Sequence, residues 1–156
     1  MVGSIVAALF AASLPGSYDC TIARQVTITE EGANSEEVSF PDAERDAWRF
    51  GVRIPQGASP SVTIEWPANP IQIAGTHRSL PVAPGQIALV APASGPCMFT
   101  EQACVALIEL SAREDGGVSF SILPAGSVRD EASDTRSLLH VVFLGGCQRQ
   151  SGSERR

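Results

Sequence analysis

Trp48-Arg49-Phe50-Gly51-Val52-Arg53-Ile54 puts an apolar side chain at every second position and sets two arginines and a glycine between them. Successive side chains of an extended strand point to opposite faces, so this stretch reads as a strand with one apolar face and one polar face. The same period recurs in Val62-Thr63-Ile64-Glu65-Trp66 and, with threonines between the aliphatic residues, in Gln25-Val26-Thr27-Ile28-Thr29. Apolar runs at 38–40, 71–73, 86–90, 105–112, 118–123 and 138–144 bring the expected count to about nine short strands. Glu114-Asp115-Gly116-Gly117 separates two of these runs, and an Asp-Gly-Gly turn between β-formers is a strong hairpin signal.

Eleven prolines and fourteen glycines are spread along the chain instead of forming one linker, which leaves room for single helical turns at 42–46 or 100–104 and for no ordinary helix. The expectation is an all-β domain, an antiparallel β-sandwich, with a small closed β-barrel as the alternative. Residues 5–14 are apolar or small, and no charged side chain precedes Asp19. That run has the length of a signal-peptide core and is too short to span a bilayer as a helix. The expected organisation is a signal peptide over 1–17, cut after Ser13 or Gly16, a single β domain over 18–148 and a flexible tail over 149–156.

The four cysteines fit an exported chain with two disulfides. Cys20 precedes the first strand-like run and Cys147 follows the last, so their pairing staples the ends of the domain, while Cys97 with Cys104 closes a local loop. The segment Tyr18-Asp19-Cys20, with a partner cysteine near the end, resembles the periplasmic lysozyme inhibitors of the barrel type, in which a disulfide ties first strand to last. The resemblance covers those few residues, lacks that family's signature loops, and implies an architecture with no functional residue attached.

All eleven basic residues are arginine, as in a GC-rich bacterial genome, and seventeen acidic residues bring the net charge to −6. An acidic chain without a basic stripe argues against nucleic acid as a partner. The acidic pairs Glu30-Glu31, Glu36-Glu37, Glu114-Asp115 and Asp130-Glu131 read as solvated loops. No Asp-x-Asp-x-Asp-Gly loop points to calcium, and no Cys-x-x-Cys points to zinc, so no metal or cofactor is expected.

Arg49 and Arg53, four apart on one strand, share a face about 13 Å apart. They pair across strands with Glu65 or capture an anionic ligand or partner. His77, in the polar Gly75-Thr76-His77-Arg78-Ser79, is placed in a loop where it can touch a ligand. His140, inside an apolar run, reads as a structural histidine. Neither has a nucleophilic serine motif beside it, and Glu65 and Glu109 stand as ordinary surface carboxylates unless the fold pairs them. The expected function is that of an exported, non-catalytic binding or inhibitor-like module for a protein or anionic ligand of the cell envelope. A small hydrolase using strand or loop carboxylates and a structural envelope component are the alternatives.

Overall fold

The structure is a computed structural model, and it describes residues 14–29, 32–37, 44, 46–57, 61–96, 103–125, 127–130, 135–138 and 140–151. Eleven strands follow one another among these residues: β1 Gly16–Thr29, β2 Gly32–Glu37, β3 Arg49–Ile54, β4 Ser61–Glu65, β5 Gly75–Ala83, β6 Gln86–Pro96, β7 Ala103–Ala112, β8 Val118–Ala125, β9 Ser127–Asp130, β10 Thr135–Leu138 and β11 His140–Arg149. A 3-10 turn, Asp46–Trp48, leads into β3. Strands β1, β3, β4, β5, β6, β7, β8 and β11 pair antiparallel in that order, and β11 returns to pair with β1. The all-β antiparallel expectation holds, and of its two forms the eight-stranded closed barrel is the one adopted, not the sandwich. β2 continues the edge of β1 beyond β3, and β9 with β10 forms a separate ribbon.

Closure depends on β1 having partners on both edges. Gly16 to Thr21 pair with β3 on one side, while the stretch from Tyr18 to Ile28 pairs with β11 on the other. The register shifts between Ile22 and Arg24, and such a bulge bends a strand and increases its twist, as barrel closure requires. Opposite the bulge lies Gly145, where a Cβ would fall 2.2 Å from the Thr21 carbonyl oxygen and 2.5 Å from Cζ of Phe120. Glycine therefore lets the two backbones approach and lets the Phe120 ring cover the bare seam. Cys20 and Cys147 face each other across this seam, both buried and joined by a disulfide, as the spacing of the cysteines suggested. The second expected pairing involves Cys97, which lies outside the described residues.

The alternating residues that defined the strands fill the interior. Phe50, Val52 and Ile54 of β3, Val62 and Ile64 of β4, Ile108 and Leu110 of β7, and Phe120 and Ile122 of β8 are all buried. An eight-stranded barrel is just wide enough for its own side chains. Here a run of aromatic contacts occupies it: Phe143 to Trp48 at 5.4 Å between centroids, Trp48 to Trp66 at 6.2 Å, Trp66 to Phe50 at 4.6 Å and Phe50 to Phe120 at 5.1 Å. Trp66 is buried as expected, and its indole N–H donates to the Ala47 carbonyl at 2.7 Å. Trp48 sits in the 3-10 turn and is only half-buried, because its position at the barrel end exposes one side of the ring.

The structure departs from the sequence pattern at four places. The first strand begins at Gly16 instead of Gln25, so the residues that close the barrel are those that preceded the recognised alternation. Residues 71–73 are apolar but not a strand: Ile71 and Ile73 are fully buried within the connection 66–74, and they plug one end of the barrel. Asn69 holds that turn with its side-chain oxygen, which accepts from the Ile73 and Ala74 amides at 2.8 and 3.0 Å. The segment from Gly75 to Ser79 is not a loop but the first half of β5, and Glu36-Glu37 ends strand β2. The apolar run at 38–40 lies outside the described residues. The Arg113–Gly117 turn joins β7 to β8 as the sequence indicated, with the Gly117 amide donating to the Asp115 side chain at 3.0 Å.

Packing extends past the expected 18–148 domain on both sides. The Tyr18 hydroxyl donates to the Leu14 carbonyl at 2.7 Å, and Leu14 is buried. Arg149 donates to the Pro15 carbonyl and the Tyr18 hydroxyl, and the Gln150 amide donates to the Ser17 carbonyl at 2.8 Å.

Candidate functional site

Buried side chains occupy the interior, so the exposed polar groups of the described residues lie on the outer wall and the loops. The strand pleat that buries Phe50, Val52 and Ile54 turns Arg49, Gly51 and Arg53 outward on β3. Registers on either side of Gly51 set up one row across four strands: Gln148 on β11, Asp19 on β1, Gly51 on β3 and Glu65 on β4. Asp19 and Glu65 thus flank a glycine, about 9.6 Å apart at the backbone, or two strand spacings. A Cβ on Gly51 would meet Glu65 atoms at 3.5 Å and beyond, ordinary contact, so its absence leaves the floor open without being sterically required. Around this row lies a shallow, open depression of about 650 Å³, lined by Asp19, Thr21, Arg49, Gly51, Glu65 and Gln148 among others.

Each carboxylate is oriented by a neighbour. The Gln150 side-chain amide donates to Asp19 at 2.8 Å, and Arg53 donates to Glu65 at 2.6 Å. The Arg53 pairing is the cross-strand reading of that residue, and both partners remain more than half exposed. Arg49 makes only a loose pair with Asp46, at 3.7 Å, with side chains 62% and 88% exposed. Exposed pairs of that kind are worth about 0–1 kcal/mol, so Arg49 can exchange its partner at little cost.

The other sequence candidates are not at this site. His77 is half-buried in β5, paired with the fully buried Val62, and its Nε2 lies 2.7 Å from the Ile73 carbonyl. It therefore ties β5 to the plug at 71–73 and does not stand in a polar loop. Glu109 points outward from β7, with two strands between it and β4 and a register that sets it at least four residues along the strand from the row of Glu65, so the two lie about 20 Å apart at about 4.8 Å per strand and about 3.3 Å per residue. Paired catalytic carboxylates sit about 5–9.5 Å apart, and the fold does not bring these two together. The surroundings of the His140 side chain lie outside the described residues. Among the described residues no three His, Cys, Asp or Glu side chains converge as a metal set, and no helix is long and apolar enough to cross a membrane.

Asp19, Gly51 and the glutamines are the residues that sequence reasoning did not select. The signal was present, since Asp19 alternates with Tyr18 and Cys20. The strand containing it was not recognised because only its second half has a threonine-aliphatic pattern.

No protein-family model matches the chain, and no curated protein matches it. Among solved structures, it is similar to the crystal structure of a single-residue variant of the vaccine antigen transferrin binding protein B from Haemophilus parasuis Hp5. The identity is 10% and the TM-score 0.44, over 87% of this chain and 27% of that one. The chain therefore spans about a quarter of that protein's length.

Proposed function

We propose that the barrel is an exported, non-catalytic binding module that docks a protein partner on the outer wall formed by β11, β1, β3 and β4. The observation that carries this reading is the row Gln148, Asp19, Gly51, Glu65, an open floor between two oriented carboxylates with Arg49 on its rim. Such a surface takes a cationic side chain over Gly51 and a carboxylate on Arg49, so it suits a segment that carries both charges. The depression is open to solvent, whereas small-molecule sites bury most of their ligand. Rigidity of the strands keeps the ordering cost of docking low. Export is supported by the buried Cys20–Cys147 disulfide, a bond that persists in oxidising compartments.

The test is an amide chemical-shift titration with a tripeptide amide bearing one basic and one acidic side chain. Shifts are expected at Asp19, Gly51, Glu65 and Gln148, and Gly51→Val should abolish them while leaving the thermal midpoint within a few degrees. Shifts confined to other strands, or unchanged in Gly51→Val, would contradict the site. Hydrolysis of a glycoside that disappears in Asp19→Asn would replace binding by catalysis at the same row.

A further inference from the structure

We propose that the outer face of β5 to β8 is the interface of a symmetric homodimer. Five large apolar side chains stand exposed there: Leu80 at 57%, Val82 at 62%, Val90 at 54%, Val105 at 45% and Leu107 at 40%. They form one patch, because Val90 pairs with Leu107 and Leu107 with Leu123 across three strands, Pro92 pairs with Val105 one row above, and Leu80 pairs with Ala88 one row below. On a soluble barrel an outward row is normally polar, as it is on β3 and β4, so a continuous apolar row marks a surface meant to be covered.

Charge identifies the occupant as a second copy of the chain. Arg78, two residues before Leu80 on β5 and level with Val90, and Glu109, two residues after Leu107 on β7 and paired with Ala88, stand diagonally on either side of β6. Both are exposed, and neither has an ion-pair partner among the described residues. A two-fold axis lying in the interface, midway between them near Ala88 and Val90, sets Arg78 of one copy against Glu109 of the other and repeats that contact by symmetry. An isologous interface has this self-complementarity. A membrane surface does not fit, since Glu109 sits within the patch edge and a net charge of −6 is repelled by anionic lipid.

Size sets the strength. Four strands and four outward rows cover about 500 Å² per copy, from strand spacings of about 4.8 Å and a same-face repeat of about 6.8 Å. That is below the roughly 800 Å² per partner of a stable complex, so the dimer is weak and concentration-dependent. The face lies across the barrel from β1, because β6 is four strands from it around the ring, and the depression at Gly51 stays open in the dimer.

Sedimentation velocity from about 5 μM to about 1 mM tests the proposal, a range chosen for an interface of this size. The wild type should shift from monomer to dimer, and Leu107→Glu, with Val90→Glu as a second variant, should remain monomeric with an unchanged circular dichroism spectrum. Arg78→Glu or Glu109→Arg alone should weaken dimerisation about tenfold through like-charge contacts, and the double reversal should restore it to within about threefold. A wild type monomeric throughout, or a dimer indifferent to Leu107→Glu, overturns the proposal. So does a double reversal no better than the single ones. Co-sedimentation with phosphatidylglycerol vesicles that Leu107→Glu abolishes would assign the face to lipid instead.

Discussion

Replacing Gly145 by alanine should damage the barrel far more than the same change at its neighbour Gly146. At Gly145 the added methyl would lie 2.2 Å from the Thr21 carbonyl oxygen and 2.5 and 2.8 Å from two atoms of the Phe120 ring, and the first of these is backbone that cannot swing away. Overpacking of this kind costs about 1–3 kcal/mol, and a clash with a paired strand belongs at or above the upper end, about 3 kcal/mol. At Gly146 the methyl would meet Nη1 of Arg113 at 3.2 Å, the tip of a flexible side chain, and the Val118 carbonyl at 3.7 Å. Relief of glycine's own strand penalty, about 0.5–1 kcal/mol, offsets that contact, so the net change should be near zero. For a domain of this size about 3 kcal/mol corresponds to a fall of about 10 °C in midpoint. Thermal unfolding of the two variants reads the difference directly. Phe120→Leu combined with Gly145→Ala should be less than additive, since the ring contact is counted once, while the clash with Thr21 remains. Equal midpoints for Gly145→Ala and Gly146→Ala would refute the close approach of β1 and β11 at this point.

Other outcomes follow from the same geometry. Changing Cys20 and Cys147 together to serine opens a loop of 127 residues, which chain entropy values at up to about 5 kcal/mol, and chemical denaturation should report a loss approaching that figure. Trp66→Ala should cost about 3–5 kcal/mol and Trp48→Ala distinctly less, because only Trp66 is fully enclosed; a larger loss at Trp48 would place the ring inside. If the chain is exported with a cleaved leader, the intact mass of the exported protein should correspond to a start at Leu14, since Leu14 is buried and Pro15 accepts from Arg149. A start at Ser17 would show that these contacts are dispensable.

Strands were legible where one face alone is buried. Trp48 to Ile54 and Val62 to Trp66 show the period because their outward residues are polar. β5 was hidden for the opposite reason: its outward positions include Leu80 and Val82 while its inward ones include His77 and Ser79, so the polarity pattern is inverted. Ile71 and Ile73 misled in the complementary sense, since burial by a plug gives the same apolar spacing as burial by a strand. Closure was legible only in the cysteines, whose placement before the first and after the last strand-like run joined the two ends of the domain. It rests on β1 pairing at both edges, on one bulged residue and on Gly145, none of which alters the alternation that separates β from α. The outward arginines could be placed on one face, but the row that gives Arg49 its setting needs the register between β11, β1, β3 and β4, which composition does not carry.

Interstrand nuclear Overhauser contacts from Cys20 test the closed barrel most directly, because that residue has a partner on each side. Backbone contacts from Cys20 to Phe50 on β3 and also to Cys147 on β11 are expected, with the amides of Cys20 and Thr21 protected from exchange. Contacts to Cys147 without contacts to Phe50, together with rapid exchange along one edge from Tyr18 to Thr21, would make β1 the edge of an open sheet and contradict the barrel and the outer-wall site built on it.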